Sequence, residues 1–274
     1  MTGAGRFALI TGASSGIGEA VARLAAEEGW RVALLGRRHA ELERVRASLP
    51  PCEHVSLVCD VTDEGAVVRA LAEVERSFGR LDLLVNSAGT GYRDTVEDLA
   101  LTLARRVFET NVLGLLACSK HALPLLKRSA AGVVVNVSSV VGRRAVPGQA
   151  VYSASKAAVC SLGEALRIEW ASHGVAVCTL NPGLTSTGFF AAQANPRGLA
   201  DPDMARADGA ADVARAVMEL VREPRPELYL RPKWRWIAAL TPLAPRTAER
   251  LFARRIGGRK STGGADESWR APER

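Results

Sequence analysis

The chain lacks the residue pairings that staple small folds. Its five cysteines, Cys52, Cys59, Cys118, Cys160 and Cys178, are odd in number and form no CxxC pair. Several stand in apolar runs, where a thiol acts as a small hydrophobe, so reduced, buried cysteines are expected rather than a disulfide scaffold. The four histidines, His39, His54, His121 and His173, share no ligand spacing, and no HExxH occurs, so no metal site is expected. No run of about 18 apolar residues is present, which excludes an ordinary membrane-spanning helix. The opening MTGAGRFALITG has no charged segment, long apolar stretch and cleavage site in succession, so a cytoplasmic protein is expected. An excess of one charge is missing from most of the chain. Residues 1–222 carry 24 basic and 23 acidic side chains against 12 and 6 in residues 223–274, which argues against a wide cationic groove and a nucleic-acid partner.

What is present is a globular composition, 274 residues with 47% hydrophobic and 24% charged, long enough for a substantial core. Short apolar runs recur at Phe7–Thr11, Val32–Leu35, Val55–Val58, Leu81–Val85, Val133–Val137, Val175–Leu180 and Leu228–Leu230. Such runs suit strands covered on both faces. Between them lie segments of helical period that stop near Gly29, Gly79 and Gly174. This rhythm predicts an α/β fold, a doubly wound parallel seven-stranded sheet of Rossmann type. One domain is expected over 1–230, a basic and apolar extension over 231–256 and a disordered tail over 257–274. The stretch from Leu184 to about Asp208 is too long for a plain connection and is expected to be a lid or a binding segment.

In such a sheet the ligand crevice lies outside the carboxyl ends of the strands. The first run leads into TGASSGIG, where Gly12, Gly16 and Gly18 let the backbone approach a pyrophosphate held at a helix N-terminus. The second ends in Gly36-Arg37-Arg38, where an NAD-binding domain would place an acid on the ribose hydroxyl. With no acid and two guanidinium groups, NADP is expected; the alternative is that both arginines only solvate a helix start. Tyr152 and Lys156, four apart, share a helix face after the Pro147-Gly148 turn. A free phenol titrates near 10, and a neighbouring ammonium favours its ionised form, which makes Tyr152 a usable acid or base. Ser139, at the exit of the fifth run, is placed to hydrogen-bond a substrate carbonyl.

Taken together, these residues resemble the short-chain dehydrogenase/reductase family in its shorter, single-domain branch. TGASSGIG matches TGxxxGxG, Tyr152-Ser-Ala-Ser-Lys156 matches YxxxK, and Asn86-Ser87-Ala88-Gly89 is similar to NNAG, with Ser87 departing from the second Asn. The resemblance implies catalytic roles for Asn111, Ser139, Tyr152 and Lys156, Asn111 supporting a proton relay through Lys156. Ser139 is preferred to Ser138 by its interval to Tyr152. The resemblance implies cofactor contacts at Ser14, Ser15, Ile17, Arg38, Asn86, Ala88, Gly89, Tyr152, Pro182, Gly183 and Thr185. Asp60 and Val61 would flank the adenine, Lys156 the nicotinamide ribose and Thr187 the carboxamide, while Arg37 resembles the NADP-selective position.

The implied reaction is NADP(H)-dependent hydride transfer to or from a carbonyl or secondary alcohol of a moderately apolar small molecule, running mainly as a reductase. The alternative is a non-catalytic cofactor-binding protein anchored by its basic tail. A homodimer or homotetramer through the helices around Asn111 and Tyr152 is implied. Phe189 and Phe190 could line a pocket under the lid or merely pack it down. Trp234, Trp236, Ile237, Leu240 and Leu243, with a helix expected over Thr247–Ile256, could lie on an anionic membrane surface; a tail packed over the substrate mouth or a second subunit is preferred.

Overall fold

The structure, a computed structural model, describes residues 5–250. Its first half runs β1 (Arg6–Thr11), α1 (Gly16–Glu27), β2 (Trp30–Gly36), α2 (His39–Ala47), β3 (Val55–Val58), α3 (Glu64–Phe78) and β4 (Leu83–Asn86). Then follow α4 (Leu101–Phe108), a π-helical turn (Glu109–Leu113), α5 (Gly114–Leu126), β5 (Val133–Val137), α6 (Ala150–Glu169) and β6 (Ala176–Leu180). The chain continues through β7 (Thr185–Ser186), α7 (Phe189–Ala192), β8 (Asp208–Gly209), α8 (Ala210–Arg222), β9 (Glu227–Leu228) and α9 (Pro232–Leu240).

The apolar runs become strands because successive side chains find cover on opposite faces. Ala8 and Ile10 of β1, with Val133, Val135 and Val137 of β5, join a core beneath α1 and α8. Phe7, Leu9 and Val134 join a second core beneath α3, α5 and α6. The parallel sheet has seven strands in the order β3-β2-β1-β4-β5-β6-β9. That is the expected architecture. The order reverses between β1 and β4, so their carboxyl ends open a crevice.

Three expectations change in detail. The last strand is Glu227–Leu228 rather than Leu228–Leu230, because these residues pair with Thr179 and Leu180 and β6 ends there. The 184–208 stretch is not a bare loop: Thr185 pairs with Asp208 and Ser186 with Gly209, closing its ends, and α7 lies between them. All five cysteines are free, but Cys52 is exposed. Residues 245–250 are helical. The rest of the helix expected to Ile256, and the tail over 257–274, lie outside the described residues. No helix among the described residues is long and apolar enough to cross a membrane.

Candidate active site

A cleft of about 1170 Å³ opens at the carboxyl ends of the strands. Its first wall is the turn from β1 into α1. Gly12 has φ +68°, and a Cβ there would stand 2.9 Å from the Ala88 backbone, so only glycine allows the two strand exits to meet. Thr11 ties them together: its Oγ1 accepts the amides of Ser87 and Ala88, each at 3.0 Å. Gly18 faces inward, where a Cβ would lie 2.4 Å from the Gly12 carbonyl oxygen. Ser15 precedes α1 in extended backbone, yet its hydroxyl caps none of the helix amides. Gly16 and Ile17 therefore present an open helix N-terminus to the cleft, the arrangement that a pyrophosphate fits.

Both arginines at the end of β2 line this cleft, but they do different things. The Arg38 Nη2 donates to Ser14 Oγ at 3.0 Å and Ser15 Oγ at 2.8 Å, bracing the glycine turn. Arg37 is 57% exposed and lies 3.8 Å from the Asp60 carboxylate, too far for a tight pair. Asp60 is itself held by the Thr62 amide at 3.1 Å and hydroxyl at 2.9 Å.

The second wall is built by β5, α6 and the segment after β6. Ser138 and Ser139 leave β5 together, but the Ser138 hydroxyl donates to the Lys156 carbonyl at 2.8 Å and is buried. Ser139 has only a long bond to the Pro182 carbonyl, 3.5 Å, and accepts the Val141 amide at 3.3 Å. Burial pushes the Tyr152 phenol well above its usual range, and the neighbouring Ser139 hydroxyl opposes that shift. Lys156 is buried and pushed down to about 8 by the loss of solvent. Its Nζ donates to the Val137 carbonyl at 2.8 Å and lies 5.9 Å from the Tyr152 ring centre.

Asn111 sits in the π-helical turn, which interrupts an otherwise continuous helix and turns this amide inward. Its Oδ1 accepts the Thr90 amide at 2.8 Å, and its Nδ2 donates to the Thr90 carbonyl at 2.9 Å and Ser155 Oγ at 3.0 Å. It thus joins the turn after β4 to the helix that carries Tyr152. A Cβ on Gly89 would lie 3.3 Å from Asn111 Oδ1 and 3.6 Å from Lys156 Nζ, so all three converge.

Of the residues singled out in the sequence, Gly12, Ser14, Ser15, Gly16, Ile17, Arg37, Arg38, Asp60 and Val61 line one part of the cleft. Ala88, Gly89, Ser139, Tyr152, Lys156, Pro182, Gly183, Thr185 and Thr187 line the remainder. Gly18, Asn86 and Asn111 do not. Asn86 turns into the core, its Nδ2 donating to Ser119 Oγ and Asn136 Oδ1, each at 2.9 Å, so this side chain braces strands instead of facing the cleft. Phe189 lines the cleft beside Tyr152, with ring centres 5.4 Å apart, and Phe190 lines it too. Trp234 and Ile237 of α9 also line the cleft; a Cβ on Gly183 would be 3.1 Å from Trp234 Nε1. Helix α9, at the start of the extension, therefore lies against the mouth of the cleft, while residues 251–274 fall outside the described residues. Among the described residues, no group of three His, Cys, Asp or Glu side chains could hold a metal.

A family model described as short chain dehydrogenase matches residues 6–197. An uncharacterized oxidoreductase of Staphylococcus aureus (strain N315) is 33% identical over 222 residues, 80% of this chain and 92% of that protein. Dehydrogenase/reductase SDR family member 7B of Bos taurus is 32% identical over 260 residues, 90% of this chain and 80% of that protein. Among solved structures, an alcohol dehydrogenase from Thermococcus sibiricus complexed with 5-hydroxy-NADP has a TM-score of 0.75 at 30% identity, covering 84% of this chain and 97% of that one. A 3-ketoacyl-(acyl-carrier-protein) reductase from Brucella melitensis complexed with NADH has a TM-score of 0.75 at 29% identity, covering 82% and 96%.

Proposed function

The chain belongs to the short-chain dehydrogenase/reductase family, and from that premise we propose an NADP(H)-dependent oxidoreductase that interconverts a carbonyl and a secondary alcohol on an apolar small molecule. One observation carries the reading: the Ser139 hydroxyl, Tyr152 phenol and Lys156 amine line the same cleft as the open N-terminus of α1. When bound, the nicotinamide supplies or accepts the hydride; the protein's own groups handle the oxygen. Tyr152, kept neutral by burial, is the acid that protonates the carbonyl oxygen in reduction. Ser139 donates a hydrogen bond to that oxygen as negative charge develops on it. The ammonium of Lys156 favours the phenolate left behind, and Asn111 holds the turn and helix on which this arrangement depends.

The similar structures hold either nicotinamide cofactor, so the NADP preference rests on Arg37 and Arg38, with no carboxylate at the end of β2. Val141, Val146, Leu184, Phe189, Phe190 and Ile237 give the cleft an apolar lining suited to an apolar substrate. The test is spectrophotometric: purified protein is mixed with NADPH or NADH and a panel of ketones and aldehydes. NADPH consumption with at least one apolar ketone is expected. Tight NADPH binding without turnover across the panel would leave a non-catalytic binding protein instead.

A further inference from the structure

Helix α9 has two working faces. Trp234 and Ile237 point into the cleft, while Trp236 is 65% exposed, Leu240 55% and Leu243 80%. Trp236 and Leu240, four apart, share one stripe of α9, and Leu243 follows in the short 3-10 turn Thr241–Leu243 that continues the chain beyond it. Arg235 on α9, and Arg246 and Arg250 in the helical segment that follows, are exposed against one exposed carboxylate in the same stretch, Glu249, while Lys233 lines the cleft with its Nζ 5.2 Å from the Trp234 ring centre. None of these three arginines forms an ion pair with a described residue, whereas arginines elsewhere, such as Arg44, Arg143 and Arg222, are paired with carboxylates. An exposed indole and two leucines in a stretch whose arginines no described residue pairs suit the boundary between acyl chains and anionic headgroups.

We propose that this surface docks the protein on an anionic phospholipid bilayer, with the mouth of the cleft facing the lipid. The charge selects the partner: an apolar stripe alone fits a second copy of the chain equally well, but three arginines that no described residue pairs would repel their own copies. Because the opposite face of the same helix lines the cleft, docking places the apolar entrance where an apolar ketone is most concentrated. The surface argument stands apart from the oxidoreductase reading, since docking needs no turnover.

The test is co-sedimentation of the full chain with phosphatidylcholine vesicles, with and without phosphatidylglycerol. Binding to the anionic vesicles only is expected. The triple variant Trp236→Glu/Leu240→Glu/Leu243→Glu should lose it while keeping its circular dichroism spectrum and NADPH affinity. Arg235→Gln with Arg246→Gln should lower vesicle affinity about 25-fold, near fivefold for each cation. Failure to sediment, equal binding to neutral and anionic vesicles, or full binding by the triple variant would overturn the proposal. So would light scattering that shows the triple variant breaking an oligomer, which would make the stripe a contact between copies.

Discussion

Arg37 and Arg38 stand side by side in the sequence but do separate work, which sets the first prediction. Arg37 lines the cleft, half-exposed, with only a loose contact to Asp60, so Arg37→Ala is expected to weaken NADPH about tenfold or more while leaving NADH nearly unchanged. Arg38 also holds Ser14 and Ser15, so Arg38→Ala should weaken both cofactors. Titration of each variant with the two cofactors separates these outcomes; equal losses in Arg37→Ala would show that its guanidinium does not read a phosphate. Lys156 offers a second test. Its amine is lowered from 10.5 to about 8, so carrying the charge at pH 7 costs about 3 kcal/mol of fold stability. That cost is fully present below about pH 8 and is relieved as pH rises toward 10.5. Lys156→Met removes it but forfeits the bond to the Val137 carbonyl, so a net gain of about 1 kcal/mol, about 3 °C in thermal midpoint, should accompany loss of activity. In the intact protein, reductase turnover is expected to fall as pH rises through about 8, where the ammonium is lost. The residues of this site were legible in the sequence as types and spacings. Which of two neighbours faces the cleft was not: Ser138 and Ser139, like Arg37 and Arg38, are distinguished by tertiary partners. Asn86 and Gly18 likewise turn inward for reasons of packing that no motif carries.

At the scale of elements, strands were readable because both faces of the sheet are covered and the runs are apolar throughout. The lid was readable only as an over-long connection. Its anchor was invisible, since Arg93 belongs to no motif. The buried Arg93 guanidinium donates to the carbonyls of Leu199, at 3.1 Å, and Ala200, at 2.5 Å, and to the Asp201 carboxylate at 2.9 Å. The neighbouring backbone joins Tyr92 to Ala194 in the lid and Asp94 to Gln149 at the start of α6. This strap links the lid to the helix that bears Tyr152. Arg93→Gln is expected to raise the ketone KM about tenfold, with a much smaller change in kcat, and to speed proteolysis within residues 190–206. An unchanged KM and digestion pattern would show that the lid holds without it.

For the whole molecule, the sheet brings six strand exits to one rim, and the chain closes over that rim twice, with the lid and with α9. The packing of α9 was not readable from its composition, because one helix supplies both a cleft-lining face and an exposed one. The remaining large apolar exposure includes Phe108 at 38%, Leu113 at 58% and Ile168 at 79%, near Asn111 and on the helix of Tyr152. We propose a homo-oligomer through these faces; light scattering is expected to give a dimer or tetramer, and Phe108→Glu with Leu113→Glu to give monomers. Wild-type mass at the monomer value would contradict that assembly. The central claim concerns proton transfer at the phenol coupled to hydride transfer at carbon, and deuterium tests it most directly. With NADPH deuterated at nicotinamide C4 and a ketone that the protein accepts, the wild type should deliver the label to the carbinol carbon, whereas Tyr152→Phe should still bind NADPH and deliver almost none, even at saturating cofactor. Label transfer by Tyr152→Phe at the wild-type rate would contradict the account.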